Sequence, residues 1–291
     1  MNRRDFLMGT AATTILVRRG RAQGASREAK LARIGLMCGN FGGRLHIKWD
    51  RSNIDPQEAE AIMDVPDLLA DNYGLHNMDI QTQYFLSMEP SFCARFRERL
   101  KKAKTRVTSM TFELDDDGHG WEGLIGPGAT DPEMRAKTLD RTKKWLDIAS
   151  MLGSPIAMVN QGRTWTEHFD IFVENLKAME AYGKTKNVHI TMENRGPGSP
   201  EQLADAVKKA GAYMMPDLGN FPDEETRTRG MRLFIPLAIS QCHVKMNARF
   251  DPRRSIQFAE ELGFKGVYTI EAGGAFGPDL QKIIDALVEY M

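Results

Sequence analysis

The chain has 291 residues, enough for one large core or two domains, with 42% hydrophobic and 27% charged residues. Its 39 basic and 39 acidic residues cancel, and no sustained basic stripe supplies the attraction that phosphate-backbone binding needs, so a nucleic-acid partner is not expected. Cys38, Cys93 and Cys242 are too few and too irregularly spaced for a disulfide scaffold and read as buried small hydrophobes.

The first 22 residues, MNRRDFLMGTAATTILVRRGRA, pair Arg3 with Arg4 ahead of a short apolar run from Phe6 to Val17. That combination predicts a twin-arginine signal peptide over residues 1–22, a linker over 23–30, and a single mature domain over 31–291. The run is too short to span a bilayer, so a periplasmic or extracytoplasmic product delivered by the twin-arginine translocation machinery is expected, with no stable membrane insertion after processing. Losing this leader removes five Arg and one Asp and leaves 34 basic against 38 acidic residues, a mildly acidic protein.

From Leu31 onward, short apolar runs alternate with longer amphipathic ones. LARIGLMC (31–38) reads as a first strand, followed by a helical region over 55–72 that Pro66 bends or divides. Strand and helix then recur at 75–82 and 89–103, at 105–112 and 131–153, and at 155–162 and 166–186. Pro132 fits the first turn of the third long helix and Gly153 its stop. Four more pairs follow: 188–194 with a helix from Ser199, 212–217 with 223–238, 240–247 with 252–263, and 265–273 with 278–291. Eight such units of about 30 residues predict an α/β fold, a (β/α)8 TIM barrel in a single domain. The glycines of MCGNFGGRL lack the spacing of a dinucleotide turn, which weighs against an open doubly wound sheet. The longest loop, 113–130, suits a lid or a wall beside a site.

In a barrel, residues ending different strands converge at the C-terminal face. The fifth strand ends in Glu193, the sixth in Asp217, the seventh carries His243 and the eighth ends in Glu271, at intervals of 24, 26 and 28 residues. Three carboxylates and an imidazole in one ring repel unless a cation joins them. One divalent metal ion is therefore expected on Glu193, Asp217, His243 and Glu271, manganese first, with zinc, cobalt or iron as alternatives.

With these four positions in TMEN, PDLGN, HVKMN and YTIEAG, the sequence resembles the xylose-isomerase-like TIM-barrel proteins, the superfamily of sugar phosphate isomerases/epimerases and family 2 AP endonucleases, over roughly residues 31–291. The resemblance implies the same four metal ligands. From the ketose epimerases of that family it implies that Glu193 and Glu271 also carry protons to and from the substrate, and that Arg249 reaches the substrate from its loop. Where many of those epimerases have a His, this chain has Asn220, which can bond a hydroxyl but cannot carry a proton near neutral pH.

Other candidates come from the residues alone. Lys245 shares a strand face with His243 and is expected to steady an anionic oxygen, as part of the catalytic set. Asp79 and Gln81 share a face of the second strand, and Gln81 is taken as substrate-binding. Glu113, Asn160 and Gln161 end strands three and four. His46, in the loop after the first strand, and Trp165, suited to stacking on a sugar, are expected at the substrate, with His119, Trp121 and Trp49 as weaker loop candidates. His76 and His189 read as structural. The function expected is a divalent-metal-dependent isomerase or epimerase acting on a carbohydrate or polyol through an enolate-type intermediate. Alternatives are a lyase or deglycosidase acting on 3-keto-glycosides by metal-assisted elimination, and a non-catalytic periplasmic sugar-binding protein. A homo-oligomer is left open.

Overall fold

The computed structural model describes residues 25–46, 54–112, 126–162, 164–246, 249–272 and 278–291. The expected leader over residues 1–22, and with it Trp49, Glu113, His119 and Trp121, lie outside the described residues. Part of the stretch expected as a linker is a short helix, α1 (Arg27–Leu31). Ser26 caps it, and Lys30 Nζ ties it to the last helix by donating to Val288 O.

The strands are β1 (Ile34–Met37), β2 (Asn77–Gln81), β3 (Arg106–Phe112), β4 (Ile156–Val159), β5 (His189–Met192), β6 (Tyr213–Met214), β7 (Gln241–Val244) and β8 (Val267–Ile270). Between β1 and β2 lie α2 (Pro56–Glu60) and α3 (Val65–Tyr73), so the helical region expected there is divided. A 3-10 turn separates them, and Pro66 sits in the first turn of α3, where its missing N–H costs no helical bond. The remaining helices alternate with strands: α4 (Pro90–Lys102), α5 (Pro132–Leu152), α6 (Phe169–Thr185), α7 (Pro200–Ala210), α8 (Glu224–Phe234), α9 (Pro252–Glu261) and α10 (Pro278–Tyr290). The stops are those the sequence suggests: Asp131 caps α5 ahead of Pro132, and Gly153 ends it in the left-handed conformation at φ 76°.

All ladders are parallel, in the order β6-β5-β4-β3-β2-β1-β8-β7. β6 and β7 are joined by two isolated parallel bridges, Met214 with Ala238 and Asp217 with His243, which complete the expected (β/α)8 barrel. The ladder of β6 is shorter than the sequence suggests because Pro216, with no N–H, interrupts it. Pro216 O still accepts from His243 N at 2.8 Å, and Leu218 N donates to His243 O at 3.0 Å.

Alternation along each strand separates two interiors. Leu36, Ile80, Met110, Val159, Met192, Val244 and Ile270 join the large core between sheet and helices. The other face of the strands lines the barrel, where Ile156, Met158 and Met215 form a small separate apolar cluster. Asp79, Ser109, Thr111, Gln241 and His243 fill the layers around it and are fully buried or nearly so. Barrel interiors are ordinarily dominated by branched apolar side chains, so this polar filling marks where stability yields to chemistry.

The approach of α6 to β5 fixes the strand that carries Glu193. Glu180 of α6, 1% exposed, accepts from Ile190 N at 2.6 Å and from His189 Nδ1 at 2.9 Å. Gly183 lies one turn on, and a Cβ there would stand 2.3 Å from Val188 O. Gly183→Ala should therefore lower stability by about 1–3 kcal/mol through overpacking against backbone, read as a reduced urea midpoint. Gly43→Ala, where a Cβ meets nothing within 4 Å, should leave the midpoint unchanged.

Candidate metal centre

Glu193 follows β5, Asp217 follows β6, His243 lies within β7 and Glu271 follows β8. Each offers a ligand atom within 4.8 Å of the others. Ligands held about 2 Å from one ion are at most about 4 Å apart, so adjustments of under an ångström would bring all four onto a common centre. His243 Nδ1 faces Glu193 Oε1 at 2.9 Å and Glu271 Oε2 at 3.5 Å. Lys245, one inward position above His243 on the same strand face, reaches Asp217 Oδ2 at 2.8 Å and Glu271 Oε1 at 3.4 Å.

The backbone around Asp217 is held by its neighbours. Asn194, adjacent to Glu193, accepts from Asp217 N at 2.7 Å and donates to Asp217 O at 3.0 Å and Asn220 O at 3.1 Å. Gly219 N donates to Asp217 Oδ1 at 2.7 Å, leaving Oδ2 turned to Lys245. That oxygen is buried and has no donor at hydrogen-bonding angles; the Lys245 contact is an ion pair of short distance and poor alignment. Gln161 at the end of β4 donates to Glu193 O at 3.0 Å.

The electrostatics follow from burial. Burial first, and the charge of Glu193 second, push the Asp217 carboxyl up to about 6 against the pull of Lys245. Burial also raises Glu193, but its hydrogen bond with His243 outweighs this and the net shift is downward. For His243 burial favours the neutral ring, yet hydrogen bonds to Asp79 and Glu193 prevail and hold its pKa well above the ordinary value. Lys245 is lowered by burial and raised more strongly by Asp217, Glu193 and Glu271, ending above its usual value. The imidazolium and the ammonium thus offset the carboxylates in the protein's own atoms. An aligned nitrogen and three carboxylate oxygens, one of them without an aligned donor, suit Mn, Zn, Fe or Co.

The remaining predicted residues divide. Asn220 stands beside the cluster, its Oδ1 accepting from Lys245 Nζ at 2.8 Å while its buried Nδ2 has no hydrogen-bond partner among the described residues. Arg249 donates to Phe221 O at 3.1 Å, joining the loops after β7 and β6. Gln81 Oε1 accepts from Gly39 N at 3.1 Å and so secures the turn after β1. His46 is exposed and faces Glu58 at 3.8 Å, outside the cluster. Trp165 is a correction: instead of offering a face to a sugar it is 0% exposed, packed on Phe172 with centroids 4.9 Å apart, and its Nε1 donates to Pro197 O at 3.0 Å. An indole in a loop was expected at the surface, but this one is the anchor of the loop between β5 and α7. His76 and His189 bond Ala103 O and Glu180, as structural histidines. Two contributors escaped the sequence reading, Asn194 and Gln241. Gln241 lies two residues before His243 on the same strand face, a period-two signal that could have drawn attention to it.

Residues 69–253 match the family profile described as "Xylose isomerase-like TIM barrel". Among curated proteins no significant match was found. Similar solved structures include a xylose isomerase domain protein from Planctomyces limnophilus, with TM-score 0.63 and 15% identity over 89% of this chain and 96% of that one. A xylose isomerase-like TIM-barrel protein from Mycobacterium smegmatis, in complex with magnesium, gives 0.61 and 16% over 90% and 97%. A D-allulose 3-epimerase from Methylomonas sp., in complex with D-allulose, gives 0.61 and 13% over 82% and 83%. These identities establish likeness of fold.

Titration of the purified chain with Mn2+ or Co2+ should saturate at one ion per chain. Asp217→Asn, which keeps the volume and removes the charge of the carboxylate paired to Lys245, should weaken binding by at least 10-fold. Two ions at saturation, or unchanged affinity in the variant, would contradict a single centre at these residues.

Proposed function

The chain belongs to the xylose-isomerase-like TIM-barrel family, and from that premise we propose that it is a divalent-metal-dependent isomerase or epimerase of a keto sugar or related polyol. The observation that carries this reading is the convergence of Glu193, Asp217, His243 and Glu271 at the barrel mouth with Lys245 beside them. The ketohexose epimerases among the similar structures supply the substrate class.

A bound divalent cation would polarise the substrate carbonyl and offset the charge that develops on its oxygen when the adjacent carbon loses a proton. Glu193, His243 and Asp217 are buried on the inner side of the cluster, while the side chains of Glu271 and Lys245 keep 26% and 22% of their surface exposed. Glu271 is therefore the carboxylate placed to take a proton from a substrate carbon entering through the mouth, and Glu193, across the cluster on β5, the one placed to return it from the other side. Lys245 stands where its ammonium can donate to an anionic oxygen, and Asn220 beside it where its amide can bond a hydroxyl. Asn220 carries no proton, so proton transfer falls to the two glutamates while Lys245 holds the anionic oxygen.

Elimination from a keto-glycoside is a second reading with an observation of its own. A small cavity of about 60 Å³ adjoins Asn220 and Asn194, with apolar walls at Leu203 and Phe221 and polar ones at Gln161 and Arg195, and offers room for the nearest atoms of a leaving group. Both readings place the substrate outside the cytoplasm, following the twin-arginine leader expected over residues 1–22, and so favour a neutral sugar over a sugar phosphate.

Glu271→Gln keeps an oxygen and nearly the same volume but removes the basic oxygen pair. With saturating metal the variant should turn over a keto sugar roughly 100-fold or more slowly, the scale of lost general acid–base assistance. Wild-type turnover in deuterated water should place deuterium at the substrate carbon. Restoration of the variant by excess metal, or turnover with no exchange, would remove the proton-carrier role. Release of an aglycone and an unsaturated sugar would instead favour elimination.

A further inference from the structure

Beneath the cluster, one carboxylate belongs to none of the roles assigned above. Asp79 of β2 is 0% exposed, and its Oδ2 lies 2.9 Å from His243 Nε2. Gln241 Nε2 donates to the same oxygen, and Thr111 Oγ1 donates to Oδ1 at 3.3 Å. β2 and β7 are not neighbours in the sheet, so this contact crosses the interior of the barrel. Gln241 is held in turn beside Met215 Sδ at 3.5 Å, which Ser109 Oγ approaches at 3.7 Å.

Both ring nitrogens of His243 face carboxylates. Nδ1 faces Glu193 at 2.9 Å and Glu271 at 3.5 Å, two of the expected metal ligands; Nε2 faces Asp79 at 2.9 Å, which is not one of them, with Gln241 Nε2 at 3.4 Å. A neutral imidazole has one N–H and one lone pair, and an ionised carboxylate accepts but cannot donate. When a cation takes the Nδ1 lone pair, the remaining proton belongs on Nε2, where Asp79 can accept it.

We infer that Asp79 is the positioning residue of the metal centre, holding the Nε2–H of His243 so that the Nδ1 lone pair is kept for the ion that Glu193 and Glu271 would share with it. The inference rests on the metal reading proposed above. A buried carboxylate is costly unless paired, and an amide or hydroxyl at position 79 would tie β2 to β7 at lower electrostatic cost. The charge is what makes the imidazole a stronger ligand, because a carboxylate on the far nitrogen raises ring basicity as well as fixing its orientation. Gln241 and Thr111 aim the carboxylate: one donor on each oxygen fixes its plane and leaves the remaining lone pairs of Oδ2 to His243.

Zn2+ binding by the full chain, measured by chelator competition, tests this with Asp79→Asn, which keeps the volume and an acceptor oxygen but not the charge. The variant should remain folded and bind Zn2+ about 10–100-fold more weakly, with a smaller rise in melting temperature on adding the ion. A role confined to bracing the barrel predicts a lower melting temperature with affinity unchanged, and affinity within twofold of wild type in the folded variant would overturn the inference. A second measurement does not depend on the variant folding. In the Zn2+-loaded unaltered protein labelled with 15N at histidine, the His243 ring, assigned by loss of its signals in His243→Gln, should show a proton on Nε2. A proton on Nδ1 would overturn the inference. Failure of the unaltered chain to bind Zn2+, Mn2+ or Co2+ would instead bring down the metal reading itself, and this inference with it.

Discussion

The parallel bridge between Asp217 and His243 is the contact on which this molecule depends. It is made where the ladder of β6 has already ended, and with the Met214–Ala238 bridge it closes the barrel, through two backbone hydrogen bonds, Pro216 O with His243 N and Leu218 N with His243 O. The same bonds set a carboxylate and an imidazole side by side at the mouth. An open sheet would expose two strand edges; here the joint that removes them also assembles half of the proposed ligand set. Asn194 reinforces it from β5, its amide gripping both backbone groups of Asp217. Geometry at the centre and integrity of the barrel are thus held by one set of hydrogen bonds.

A polar column runs down from that joint. Lys245, His243 and Gln241 alternate along the inner face of β7, and Asp79 meets the lower two from across the barrel. Each buried charge has a partner of opposite sign or a donor aimed at it, the condition under which buried ionic groups are tolerated. Among the described residues Ile156, Met158 and Met215 form a small apolar cluster within the barrel. The outer core between sheet and helices is correspondingly large and aromatic, with Phe85 packed edge-on against Phe92 and Phe96 at 5.4 Å, and it supplies the hydrophobic stabilisation that the lumen forgoes.

Much of this was legible in the sequence, for identifiable reasons. Hydrophobic periodicity gave eight units because each strand has one face in the outer core, and regular unit lengths then aligned Glu193, Asp217, His243 and Glu271. Period two alone turned Lys245 inward. What could not be read were contacts between residues whose strands do not adjoin. Asp79 and His243 are separated by 164 positions, and nothing local to NMDIQ says that its carboxylate will meet an imidazole from the far side. Trp165 misled because a loop indole suggests a sugar platform, whereas Gly198 at φ 100° brings the backbone so close that a Cβ would stand 2.4 Å from the ring. The helix α1 went unread because five residues carry too little periodicity to register.

The exposure gradient across the cluster is the last constraint on its chemistry. Side-chain exposure runs from 0% at Asp79, His243 and Asp217 and 2% at Glu193 to 22% at Lys245 and 26% at Glu271. Groups on the buried side are enclosed by the protein and paired with one another, as His243 is with Asp79 and Glu193, which suits holding an ion. On the open side the Glu271 carboxylate, among the described residues, has ion-pair contacts with Lys245 and His243, and an approaching substrate can replace these without unmaking the barrel. The proposed abstraction step needs that freedom, because a carboxylate saturated by donors has no lone pair left for a substrate proton. The asymmetry therefore orders one ring of similar residues: the groups that follow or lie in β5, β6 and β7 face the protein interior, and the one that follows β8 is the carboxylate an entering substrate would meet first.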